Sequence, residues 1–211
     1  MSTPSDPRML VLHGLRLKGF ADAAAVAEAV GMGEADAKPV LDGLVAEELA
    51  SYRDGRISGF ALAPAGRTIH AELLAAELEA TGQRGAIQGA YERFLAINKD
   101  LLTICTAWQL RDVDGESVIN DHSDAAHDAK VIGELAELDA KVAPICADLG
   151  TALDRFAAYG PRLADALAKV RAGDVDWFTK PMIASYHTVW FELHEDLLAT
   201  LGIERSSEGS G

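Results

Sequence analysis

All three tryptophans and four of the six histidines of this chain stand in three short stretches of its later part. The first is Trp108-Gln109. The second is Asn120-Asp121-His122-Ser123-Asp124, with His127-Asp128 just beyond. The third takes in Trp177-Phe178 and the run Tyr186–Asp196, where His187, Trp190 and His194 follow at i, i+3 and i+7 and so share one helical face. Aromatic walls with a few polar groups are what a small-molecule pocket requires. The expected ligand-binding set is therefore Trp108, Asp121, His122, Tyr186, His187, Trp190 and His194, converging on one cavity. Neutral imidazoles there can hydrogen-bond a carboxylate-bearing effector, and the Asn120–Asp124 segment precedes a helix start, where backbone N–H groups favour an anion. The plainer alternative makes Tyr186, Trp190 and Phe191 core or dimer interface, and Asp121 to Asp124 a helix cap.

Other chemistries find less support. Asp121, His122, His127, His187 and His194 carry donors that suit zinc or manganese. However, His122 and His127 are five apart and His187 and His194 seven apart, neither being the i, i+4 spacing of a helical zinc site. No metal site and no cofactor are expected. There is no Gly-rich phosphate loop, no serine nucleophile elbow and no HExxH motif. His194-Glu195 makes no acid–base pair, because adjacent helical residues point about 100° apart. No catalytic residues are assigned, and a protein without enzymatic activity is expected. Cys105 and Cys146 form no metal or redox spacing and read as buried thiols in a reduced cytoplasm.

The elements that must position these groups follow from apolar spacing. Helical runs are expected at Met9–Gly19, at Ala21–Val30 and in a third segment ending near Leu49, with Gly31-Met32-Gly33 as the turn before it. Pro39 points to a late start of the third helix, near Asp36. Ala50-Ser51-Tyr52-Arg53 and Ile57–Leu62 read as two strands around an Asp54-Gly55-Arg56 turn. A further helix opens at Pro64, where a missing N–H costs nothing, and stops at Thr81-Gly82. Beyond it the chain reads as helical throughout, with Arg111–His122 as a loop. The expected architecture is mainly α: a winged helix-turn-helix over 1–82, an all-helical effector and dimerisation domain over 83–203, and a disordered tail over 204–211. The amphipathic runs Pro64–Ala80 and Ile87–Trp108 are the expected homodimer interface.

Charge argues against one partner of that architecture. The net charge is −14, and residues 1–83 hold seven Lys and Arg against twelve Asp and Glu. Binding to DNA draws most of its non-specific free energy from cations that neutralise phosphates, although a local basic stripe can suffice. The uncharged stretches Leu101–Leu110 and Pro181–Phe191 are about half of what a bilayer span requires, and Met1–Pro7 has no basic-then-apolar signal pattern. A cytoplasmic chain without membrane contact is expected.

Residues Ala27–Gly31, the helix Pro39–Leu49, the Arg53-Asp54-Gly55-Arg56 turn and Leu62-Ala63-Pro64-Ala65-Gly66-Arg67 together resemble winged-helix regulators of the MarR and PadR type. The resemblance covers roughly the first two fifths of the chain. It implies that the third helix enters the major groove of double-stranded DNA and that wing arginines approach the minor groove. Mapped onto this sequence, Arg53, Arg56 and Arg67 take the wing and phosphate contacts, with Lys38 on the third helix and Arg16 and Lys18 on the first. The exposed third-helix positions Glu34, Asp36, Lys38, Asp42 and Gly43 depart from the Ser, Thr, Arg and Gln usual there, and a carboxylate accepts only from cytosine at a base edge. The later stretches Asn120–Asp124 and Ser185–Asp196 are similar to an actinobacterial-type helical module found with regulators and with regions appended to phosphoenolpyruvate/pyruvate-utilising enzymes. More loosely they resemble the helical effector domains of GntR-type regulators. Two functions follow: a ligand-responsive DNA-binding transcriptional regulator, or a winged-helix interaction module that regulates a metabolic enzyme without touching DNA.

Overall fold

The computed structural model describes residues 5–113 and 115–205, so the expected tail lies outside the described residues from Ser206 onward. The fold is mainly helical with two small antiparallel sheets. No helix among the described residues is long and apolar enough to cross a membrane. The chain divides into two compact units: residues 1–87 with 152–155 and 194–211, and residues 88–151 with 156–193.

The first unit opens with α1 (Pro7–Lys18), whose first turn is capped by the Asp6 carboxylate accepting from the backbone N–H of Arg8 and Met9. A two-residue strand β1 (Phe20–Ala21) follows, then α2 (Ala23–Ala29), capped by Asp22. The third helix, α3, runs from Glu34 to Ala46. It therefore starts ahead of the expected Asp36, and Pro39 lies inside it. The proline deprives the Ala35 carbonyl of its donor, which is tolerable because Ala35 is exposed and water can replace the bond.

Strands β2 (Ala50–Arg53) and β3 (Gly59–Leu62) form a hairpin, and β1 adds to the far edge of β3 to give the order β1-β3-β2. β2 begins where the sequence predicts, but β3 starts two residues later. Ile57 is exposed, and the Ser58 hydroxyl turns back to Asp54 and Gly55 instead of extending the ladder. α4 (Pro64–Thr81) has its proline in the first turn and ends at Gly82, which takes the left-handed conformation at φ 65°. Gly66 on α4 packs onto the Leu49 carbonyl so closely that a Cβ would lie 2.0 Å from that oxygen. Val11, Leu12, Leu15, Val26, Leu41, Leu44 and Phe60 lie at the centre of this unit's core.

α5 (Arg84–Gln109) leads into the second unit. Most of Arg111–His122, expected as a loop within an all-helical domain, instead belongs to a hairpin of β4 (Leu110–Val113) and β5 (Glu116–Ile119). Both faces of this ribbon are largely exposed, so its sequence lacks the apolar alternation that marks a strand. The Asp112 carboxylate accepts from the Gly115 N–H to close the turn, with Gly115 at φ 86°. α6 (Ala125–Ala152), a 3-10 turn at Asp154–Phe156, α7 (Tyr159–Arg171), α8 (Asp176–Thr179) and α9 (Tyr186–Leu201) complete the chain. Phe94, Trp108, Leu135, Leu138, Phe156, Phe178 and Val189 are among the buried residues of the second unit.

Candidate functional site

The Asn120–Asp128 segment is a hydrogen-bonded knot. The Asn120 amide donates to the Trp108 carbonyl (3.0 Å) and to Asp128 Oδ1 (2.9 Å), while its oxygen accepts from the His122 N–H. His122 sits at φ 59°, a left-handed conformation costly for a residue with a Cβ. Its ring lies 4.4 Å from that of Trp108, and Nδ1 is 3.0 Å from Asp128 Oδ2. Trp108 stacks on Phe178 on a ring separation of 4.3 Å. Asp124 caps α6 by accepting from Ala126 and His127 N–H groups, and these bonds hold its carboxyl below the usual range. Asp121 is held low in the same way, first by the Ser123 hydroxyl and N–H and then by Arg111. Asp124 thus takes the capping role of the plainer alternative, whereas Asn120, Asp121 and His122 bond within the segment and to Trp108 and Arg111.

The expected ligand set does not gather in one place. Trp108 contacts His122 on one side and Phe178 on another. Tyr186 and Trp190 belong to another aromatic group with Phe94, and each spends its polar atom on an internal partner. The Tyr186 hydroxyl donates to Asp139 (3.1 Å), and Trp190 Nε1 donates to Asn98 (2.8 Å). Burial pushes both the Tyr186 hydroxyl and the Asp139 carboxyl up. His187 is half-buried and pushed down by that burial. His194 is buried and groups with the first unit. Among the described residues no three of His, Cys, Asp and Glu are placed to hold a metal ion.

A further buried polar cluster falls on residues outside the expected ligand set. In the first unit, Arg155 is paired with Asp196 and, at 3.1 Å, with Glu77, and it donates to the Thr200 hydroxyl at 2.6 Å. On the other side of Asp196, His13 Nε2 lies 3.0 Å from Oδ2. His13 Nδ1 is 3.0 Å from His70 Nε2, and the two rings stack. Burial works against ionising Asp196, but Arg155 and His13 override it and hold the carboxyl far below its ordinary range. Burial, reinforced by His13, pushes His70 down to about 3. The signal in sequence was slight: His13 beside Met9 and Leu12, His70 between Gly66 and Leu74, and Asp196 and Thr200 among the leucines of α9 all occupy positions that should be apolar.

Of the expected DNA contacts, Arg53 and Arg56 are exposed at the β2–β3 hairpin, with Arg53 lying 4.6 Å from the Phe20 ring. Lys38 gives its ammonium to both oxygens of Asp42 at 2.6 Å. Lys18 is half-buried. Arg16 pairs with Glu195 at 3.1 Å, and Arg16 and Arg67 together line a hollow of about 290 Å³ with His70. Within the runs expected to face a second copy, Leu74, Leu78, Ile87, Tyr91, Phe94, Leu101 and Trp108 are buried within the chain itself, whereas Leu102 is exposed.

No protein-family model, curated protein or solved structure matches this chain.

Proposed function

We propose that the chain is a DNA-binding transcriptional regulator of the cytoplasm, and that its first unit is a winged helix-turn-helix of the MarR/PadR type. The observation that carries this reading is the sheet order β1-β3-β2, in which a strand between α1 and α2 closes the hairpin that follows α3. That order holds α3 with Glu34, Asp36, Lys38 and Asp42 exposed, and leaves Arg53 and Arg56 exposed at the adjoining hairpin. In this reading α3 enters a major groove and the hairpin arginines approach the neighbouring minor groove.

Fluorescence anisotropy with duplex DNA from upstream of the chain's own coding sequence, across a salt series, tests it. Binding should weaken with salt, and replacing Arg53 and Arg56 by Gln should lower the log–log salt slope by about 2. A second reading, a protein-interaction module without DNA contact, is favoured by Lys38, whose charge is spent on Asp42 on a face that also carries Glu34. Absence of binding at low salt, where phosphate attraction is strongest, selects that second reading.

A further inference from the structure

We propose that the hollow lined by Arg16, Arg67 and His70 binds a small organic monocarboxylate with an apolar body. All of its lining belongs to the first unit: Arg16 from α1, Arg67, His70 and Ala71 from α4, and Leu198, Ala199 and the Gly202–Glu204 segment at the end of α9. Its volume of about 290 Å³ stands at the small end of ligand sites, which begin near roughly 300 Å³.

The polar groups suit a carboxylate in number and kind. Arg67 is exposed and has no ion-pair partner among the described residues, so its planar fork of donors is unspent. Arg16 has one Nη committed to Glu195. His70 is only 3% exposed, yet it lines the hollow. Its Nε2 is taken by His13, and its Nδ1 has no hydrogen-bond partner among the described residues. That leaves Nδ1 open to a ligand group entering the hollow. In the tautomer whose Nε2 accepts from His13, the neutral ring carries its proton on Nδ1 and donates to the carboxylate.

The remaining walls set the rest of the ligand. Ala71, Leu198, Ala199 and Ile203 offer apolar surface, so the body is hydrocarbon. Glu204 also lines the hollow and disfavours a second negative charge. Arg16 and Arg67 in addition border a smaller hollow with Leu15, Gly19, Ala61 and Leu62. That smaller hollow reaches β3, the strand shared by the hairpin and β1. Binding itself does not depend on the DNA reading.

The test uses the full chain without DNA. Isovalerate and phenylacetate, each at millimolar concentration, are compared with isovaleramide, phenylacetamide and inorganic phosphate by thermal shift and calorimetry. The two carboxylates should raise the melting temperature and the amides and phosphate should not. Arg67→Gln, at an exposed position, should melt like the parent when unliganded and weaken the carboxylates about tenfold or more, whereas Arg53→Gln should bind them unchanged. No shift with either carboxylate, equal shifts with amides or phosphate, or undiminished affinity in Arg67→Gln overturns the proposal. Carboxylate binding without DNA binding refutes only the DNA reading, and the reverse refutes only the ligand site.

Discussion

The buried imidazole of His70 should make the first unit lose stability on mild acidification. An unfolded histidine titrates near 6.5, whereas burial and the neighbouring His13 hold folded His70 at about 3. The unfolded state therefore takes up a proton first. The contribution of this group is complete above the unfolded value and is lost progressively as the pH falls from about 6.5 towards 3. Each unit within that window costs about 1.4 kcal/mol, so lowering the pH from about 7.5 to about 5 removes about 2 kcal/mol. Urea unfolding followed by far-UV circular dichroism should show the midpoint falling by about 1 M over that interval. Hydrogen exchange at Val11, Leu12 and Leu15, all buried on α1 beside His13, assigns the change to the first unit. His187 is also pushed down by burial, but it persists in a His70→Gln variant and cancels in the comparison. That variant should lose the His70 share of the pH dependence. An unchanged slope in His70→Gln would refute the reasoning, whatever the variant's absolute stability.

Arg155→Met should destabilise the first unit by about 3–5 kcal/mol, because it removes the cation beside the buried Asp196 and the half-buried Glu77; Asp196→Asn added to it should cost far less than its own single effect, read by denaturation of all three variants. Gly66→Ala should cost about 1–3 kcal/mol by overpacking against the Leu49 carbonyl, measurable as a lowered melting temperature, and parental stability would contradict the close approach. Cys105 and Cys146, both thiols pushed up by burial to about 12, should resist alkylation in the folded chain at mildly alkaline pH and both react after denaturation, as mass spectrometry would show. Light scattering tests homodimerisation: a monomer mass at micromolar concentration removes the paired half-sites on which the DNA reading relies.

Much of the first unit was legible because its signals are local. Pro64 and Gly82 bracket α4 through properties of single residues, a fixed φ at one end and a permitted left-handed φ at the other. β2 followed from the Asp-Gly turn that ends it. β1 was not legible, since two residues carry no periodicity and Phe20 and Ala21 become a strand only when β3 is beside them. The β4–β5 ribbon escaped for the opposite reason: with little of it buried, nothing constrains its residues to alternate. The aromatic stripe of α9 was visible as a pattern, but Asn98 and Asp139, which occupy the polar atoms of Trp190 and Tyr186, lie on other helices far away in sequence. The same distance hid Arg155 and Asp196 from His13.

That separation bears on the order in which the chain is made. Residues 5–87 supply α1 to α4 and the three-stranded sheet, and they leave the ribosome first. His13, His70 and Glu77 belong to this portion, whereas Arg155, Asp196 and Thr200 are synthesised only after most of the second unit. For that interval the inner faces of α1 and α4 carry two histidines and a carboxylate without the guanidinium that balances them. The first unit is thus early in sequence and late in completion. A protease or a chaperone that samples the nascent chain would meet it while its most buried ion pairs do not yet exist.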